Sequence, residues 1–196
     1  MILKFAPLSL INPNGPNIKI GGEILSKGEI AFASDLSLYL PFILNGKVNR
    51  VIDRKGIKIK PEIRVYTQTR GEDMINNRGL YFANEALFFK DHFKRGDTYL
   101  RENSYSDNHD DNTYYDYNII NRIEIGDNLI IGYQGFIKNK IILECFAGFG
   151  IKYRISEYEY KVPGEICCPV IRLFEIPTGN GFKPNLTMGF KICLAL

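Results

Sequence analysis

The chain has 196 residues, 24% of them charged, with a formal net charge of +3. That is enough for a sizeable core, and the absence of any composition shift makes residues 1–196 one domain. No concentrated basic face accompanies so small a net charge, so nucleic acid is not an expected partner. No run approaches the roughly 20 apolar residues of a membrane helix, but a membrane β-barrel stays open because its strands alternate.

The opening MILKFAPLSLI lacks a basic n-region, a full apolar h-region and a small-residue cleavage site before NPNGP. It is not read as a signal peptide; an exported protein would be present here as its mature chain behind Met1. Beyond it, alternation with a period of two recurs, and no segment keeps helical spacing for three turns. Strands are predicted over 2–10, 17–26, 30–43, 56–69, 79–95, 114–136, 140–157 and 184–196.

In 30–42 the apolar set Ile30, Phe32, Leu36, Leu38, Leu40 and Phe42 alternates with Ala31, Ala33, Asp35, Ser37 and Tyr39. In 57–67, Ile57, Ile59, Pro61, Ile63 and Val65 alternate with Lys58, Lys60, Glu62 and Arg64. In 143–154, Leu143, Cys145, Ala147, Phe149, Ile151 and Tyr153 oppose Glu144, Phe146, Gly148, Gly150, Lys152 and Arg154. The last segment sets Leu186, Met188, Phe190, Ile192, Leu194 and Leu196 against Thr187, Gly189, Lys191, Cys193 and Ala195. It is expected to pair with the segment at 2–10 and so to close a sheet of eight strands.

Connections differ between the two ends. SKGE and KNK are tight and TRGEDMINNRG is moderate, whereas LNGKVNRVIDRKG, the stretch around ENSYSDNHDDN and residues 158–183 are long. Turns at one end and loops at the other fit an up-and-down meander of the outer-membrane kind, with 44–56, 96–113 and 158–183 as its outside surface.

Such alternation fits either a soluble barrel or sandwich with an apolar interior or a membrane barrel with a polar lumen. Gly21, Gly126, Gly132, Gly148, Gly150 and Gly189 fall on the charge-bearing face. On a water-facing strand glycine weakens the sheet to no benefit, but inside a narrow eight-stranded barrel small residues must alternate with long ones. The same face carries Lys19, Lys58, Lys60, Arg64, Arg122, Lys152, Arg154 and Lys191 against Glu23, Asp35, Glu62, Glu85, Glu124 and Glu144. An enclosed lumen requires such a near balance, because an unpaired buried charge is costly.

The expected lumen ion-pair network is Lys58, Lys60, Glu62, Arg64, Glu85, Glu144, Lys152, Arg154 and Lys191. In it Glu62 and Arg64 face Glu85, and Lys191 is directed at Glu144 or Glu23. Asn84 and Asp127 break the alternation by falling on the apolar face, which implies a bulge there or a position at the membrane–water interface.

The pieces ILKFAPLSLINPNGPNIKIGGE, KIKPEIRVY, GLYFANEALFFK, LIIGYQ, CFAGFGIKYR and PNLTMGFKICLAL follow one another over most of the chain. In them the chain resembles the small outer-membrane β-barrel proteins of Bacteroidota, a family catalogued as a conserved domain of unknown function. The resemblance implies an outer-membrane location, a signal peptide that this sequence does not include, and no catalytic residues to carry over. One departure is the terminus: such strands usually close on an aromatic residue, and this one closes on Leu196, with Phe190 as a substitute.

Candidate chemistry is sparse. His92 beside Asp91, with Ser104 and Ser106 following, has the residue types of a lipid esterase but no spacing that brings them together. The loop residues Asp107, His109, Asp110 and Asp111 offer ligands for a hard divalent cation without the register of an EF-hand, so a solvated loop tip is the default. Lys94, Arg95 and Arg101 flank that loop as possible phosphate contacts or interfacial anchors, and Tyr114, Tyr115 and Tyr117 read as an interfacial aromatic belt. Four cysteines form no metal motif: alternation puts Cys145 and Cys193 on opposite faces, and Cys167 and Cys168 are adjacent.

The resulting expectation is an all-β, eight-stranded antiparallel up-and-down transmembrane β-barrel with a side-chain-filled polar lumen. No catalytic residue, cofactor or metal is assigned. Its expected role is that of a structural or accessory subunit of an envelope complex, with outer-membrane lipid and lipopolysaccharide as partners. A lipid-modifying enzyme and a soluble lipocalin-like binder of an apolar ligand are the alternatives.

Overall fold

The structure, a computed structural model, describes residues 1–11, 17–26, 29–40, 51–67, 79–100, 113–138, 140–162 and 179–196. The alternating segments form β1 (Ile2–Phe5), β2 (Asn17–Leu25), β3 (Ile30–Tyr39), β4 (Val51–Tyr66), β5 (Leu80–Leu100), β6 (Thr113–Lys138), β7 (Ile141–Tyr160) and β8 (Gly181–Ala195). Each pairs antiparallel with its neighbour in sequence, and β8 returns to β1, so the sheet is a closed up-and-down barrel of eight strands. Both chain ends and the connections after β2, β4 and β6 lie at one end, here the turn end; the other connections lie at the loop end.

The register fixes the shape. Phe5 pairs with Ile20, then in succession come Leu36, Ile59, Phe88, Ile125, Tyr153 and Phe182. On its other side Phe5 meets Ile192, ten residues along β8 from Phe182. A stagger of that size in an eight-stranded barrel tilts the strands by about 40° and leaves an interior that side chains can fill. Every member of this ring is apolar and turned outward, whereas Lys4, Glu23, Asp35, Glu62, Arg64, Glu85, Glu144 and Lys191 are buried inside.

Several expected boundaries are corrected. The first strand ends at Phe5 rather than residue 10, because Pro7 has no amide hydrogen for a ladder. Pro7–Ile11 instead form a 3-10 helix, pinned by the Ser9 hydroxyl, which lies 2.7 Å from both the Ala6 and the Asn17 carbonyl oxygens. β8 therefore pairs with β1 only over Ile192–Ala195. Residues 51–56 and 96–100, expected as loop, are strand. A register shift between Ile52 and Lys55, with Asp53 at φ 54°, inserts an extra residue into β4 and reverses its inside–outside parity, which hides the strand from a strict period-two reading. β5 and β6 stay paired as far as Leu100 and Thr113, beyond the last pairs that β5 makes with β4 and β6 makes with β7.

Asn84 and Asp127 do lie on the outward face, and the bulge expected as one explanation is absent. The β5–β6 register is unbroken there, and the two residues sit between Phe82 and Phe88 and between Ile125 and Leu129. They answer each other instead: the Asn84 amide donates to Asp127 Oδ1 at 2.7 Å.

Inside, the glycines make room for rings. Tyr81, Gly132, Phe146 and Gly189 are successive partners across β5–β8. A Cβ on Gly189 would lie 2.6 Å from Phe146 Cζ, and one on Gly132 would enter the Tyr81 ring. Gly132→Leu should therefore lower stability by about 1–3 kcal/mol through overpacking. Gly22→Ala, whose Cβ would meet nothing nearer than the Ile2 carbonyl at 3.9 Å, should leave it unchanged. Urea midpoints in detergent check both.

Candidate functional site

The polar faces of all eight strands converge on the lumen, and their side chains form three tiers. At the turn end Arg64 is the hub. One of its terminal nitrogens donates to Glu23 at 2.9 Å and Glu144 at 3.1 Å, the other to Glu62 at 2.8 Å and Glu144 at 2.9 Å. Its guanidinium stacks 4.3 Å from the Tyr81 ring centroid. Lys4 bridges Glu23 and Glu144 at 2.6 and 2.7 Å. Gln134 donates to the same two carboxylates, Tyr66 to Glu23 and Tyr81 to Glu144. Lys191 completes the tier against Asp35 at 2.7 Å and Glu144 at 3.4 Å, and Lys19 shares Asp35 at 2.9 Å.

In the middle tier Lys60 joins Glu85 at 2.6 Å and reaches across the lumen to the Thr187 hydroxyl at 3.4 Å. Asn128 donates to Glu85 and Asn185 to Asn128. Toward the loop end, Asp91 takes Arg122 at 2.6 Å and Arg54 at 2.9 Å, while Glu124 takes Arg154 at 2.6 Å and Lys152 at 2.9 Å. Charges so far from water gain little net stability as pairs but are expensive to leave alone. Their hydrogen-bond networks hold the strands that carry them to one arrangement.

Of the nine residues expected in the lumen network, eight make ion pairs there, though not all with the partners foreseen. Glu62 stands directly opposite Glu85. Lys60, not Arg64, takes Glu85, because Arg64 is drawn into the denser cluster of Glu23, Glu62 and Glu144. Lys191 meets Asp35 and Glu144 and not Glu23, which Lys4 and Arg64 occupy. Lys58 faces the lumen without a carboxylate among the described residues; its ammonium lies over the Phe89 and Tyr39 rings at 4.7 and 5.3 Å.

Sequence reasoning missed Lys4, Arg54, Asp91, Gln134, Tyr66 and Tyr81. The signal for Lys4 was present in its place between Leu3 and Phe5, and Arg54 keeps the parity of Lys58 and Lys60 but lies in a stretch expected as loop. Asp91 and His92 point to opposite faces: Asp91 is buried in the lumen, whereas His92 is outside, with Nδ1 2.9 Å from Asn121 Oδ1 and 3.7 Å from Glu159. Asp107, His109, Asp110, Asp111, Ser104, Ser106, Arg101, Cys167 and Cys168 lie outside the described residues. Lys94 pairs with Asp53 at 2.8 Å, and Tyr115 meets Tyr117 edge-on at 5.1 Å. Cys145 is exposed and Cys193 buried. Among the described residues no group of His, Cys, Asp and Glu is placed to hold a metal ion. No family model, curated protein or solved structure matches this chain.

The hub can be tested by its asymmetry. Arg64→Met removes one cation and leaves Glu62 without an ion-pair partner among the described residues, while Glu23 and Glu144 each lose one of theirs, so it should cost about 3–5 kcal/mol. Lys94→Met, at an exposed pair near the loop end, should leave the same urea midpoint in place.

Proposed function

We propose that this chain is a non-enzymatic outer-membrane β-barrel that acts as a structural or accessory subunit of an envelope complex and meets its partners at the loop end. The observation that carries this reading is the inversion of the barrel, with an apolar ring outside and ion pairs inside. Phe5, Phe88, Tyr153 and Phe182 are 40%, 49%, 42% and 75% exposed. At about 200 Å² per aromatic side chain, these four residues present on the order of 400 Å², and the largest apolar patch on a typical soluble monomer is about 300–600 Å² in all. The outward ring continues around every strand, far past that limit.

The span of the apolar face supports the same medium. On β4 the outward residues run from Val65 to Ile57 before Lys55, and on β5 from Leu80 to Phe88 before Lys90, interrupted by Asn84. These lengths match the roughly 9–11 residues a tilted strand needs to cross a bilayer. The filled lower lumen supports a role other than a diffusion pore. At the loop end, the paired extension of β5 and β6 offers a raised edge, with Tyr115 52% exposed, and such aromatic residues suit either the membrane interface or a protein partner. There Lys94 holds the Asp53 carboxyl below its usual range through a direct hydrogen bond, so this contact stays ionic.

Expressed in a host with an outer membrane, behind an export signal, the protein should fractionate with that membrane and need detergent to stay monodisperse. Its folded form should run faster than the boiled form on a gel, and planar bilayers should show no large steady conductance. A monodisperse protein in plain buffer would refute the membrane reading. His92→Ala should leave the lipid A and phospholipid profiles of the host unchanged, and an altered profile would favour the enzyme instead.

A further inference from the structure

Where β1 stops, the described strands leave one edge of β8 uncovered. Over Gly181–Lys191 no described strand pairs with β8 on the side away from β7. Pro184, which has no amide hydrogen to leave unpaired, sits in this edge. The 3-10 helix Pro7–Ile11 stands in place of the missing strand, with Leu8 turned outward at 53% exposure. One cavity of about 1050 Å³ is lined by Lys58, Lys152, Glu124 and Asn185 from the lumen and by Leu8, Leu186 and Met188 from outside. Leu186 and Met188 are each 79% exposed, more than any other large apolar residue described.

The charge on the lumen side of this edge is unbalanced. Lys58 has the Tyr39 hydroxyl and the Phe89 ring for company, and no carboxylate among the described residues. Lys183 stands directly across from Lys152 in the β7–β8 register, an arrangement of like charges that destabilises a sheet unless something else answers it. Among the described residues no carboxylate reaches Lys183, and Glu124, the partner of Lys152, also serves Arg154 and Arg122. Below them Lys60, held by Glu85 and Thr187, forms a floor. The polar space above that floor is thus positive, and it leads sideways to the most exposed apolar side chains of the barrel.

We infer that this edge is a lateral entrance for an anionic lipid, whose phosphate head enters the upper lumen to meet Lys58, Lys152 and Lys183. The acyl chain stays outside, along Leu186 and Met188. A neutral lipid would leave the amines unanswered, and a free phosphate would make no use of the apolar rim. This inference rests on the membrane reading above, since the lipid arrives from the bilayer.

The test uses the full chain refolded in a nonionic detergent, titrated with lysophosphatidic acid, lysophosphatidylcholine or inorganic phosphate. Native mass spectrometry and the thermal unfolding midpoint give the readouts. Lysophosphatidic acid should bind one per barrel and raise the midpoint, with the other two at least about tenfold weaker. Lys58→Met, which keeps an unbranched stem against Phe89 and Tyr39, should weaken lysophosphatidic acid about tenfold, and Lys58→Arg should restore it. Met188→Ser, on the outward face and itself in no ion pair, should also weaken it. Equal binding of lysophosphatidylcholine, equal binding of inorganic phosphate, no binding at all, or an unchanged affinity in a folded Lys58→Met barrel would each overturn the entrance. Those results leave the membrane reading standing, whereas solubility without detergent would remove that reading whatever the titration gives.

Discussion

A guanidinium sealed inside a ring of strands has few ways to be tolerated, and Arg64 combines two, ion pairs and a ring stacked on its face. Three carboxylates from β2, β4 and β7 surround it and a tyrosine ring covers its face. Those carboxylates in turn require Lys4, Lys191, Gln134, Tyr66 and Tyr81, so one desolvated cation commits side chains from every strand except β3. Asp35 brings β3 in as well, through Lys191. The cost of stranding any one member rises as water is excluded, and the barrel must therefore close with its strands in this register.

Closure at this stagger sets what else can fit. Near the turn end the rings of Tyr81 and Phe146 fit because the positions paired with them on the next strands are glycines, Gly132 and Gly189. Toward the loop end the packing changes character. Asp91 and Glu124 serve Arg54, Arg122, Lys152 and Arg154, and Lys58 and Lys183 are left without a carboxylate among the described residues. The barrel thus has a tight, neutralised floor at one end beneath a looser, positively charged space at the other.

Much of this was legible in the order of residues. A period of two assigns each side chain to a face, and the strands 57–65 and 143–154 show the two faces without ambiguity. Glycines on the charged face pointed to confinement on that side. Where a local irregularity resets the parity, as at Asp53, the same reasoning fails: Val51 packs inside against Phe93 and Ile120, although alternation continued from Ile57 would turn it outward. Pro7 was equally visible, but a proline within an apolar run says only that a ladder is weakened there; whether the strand then stops depends on what the next residues can bond to, here Ser9 with the Ala6 and Asn17 carbonyls.

The sequence by itself determined the strand number, the alternation of faces and the charge content of the inner one, because side-chain direction in a strand follows from local backbone geometry. Only the tertiary structure decided who pairs with whom. Glu85 could have met Arg64 by position in sequence, yet Lys60 holds it, and Lys191 bonds Asp35 from a strand more than a hundred residues earlier. Those choices depend on the stagger at which the sheet closes, a property of all eight strands together. The unpaired edge of β8 has the same origin, since a short first strand leaves such an edge among the described strands only when the last strand returns to lie against it.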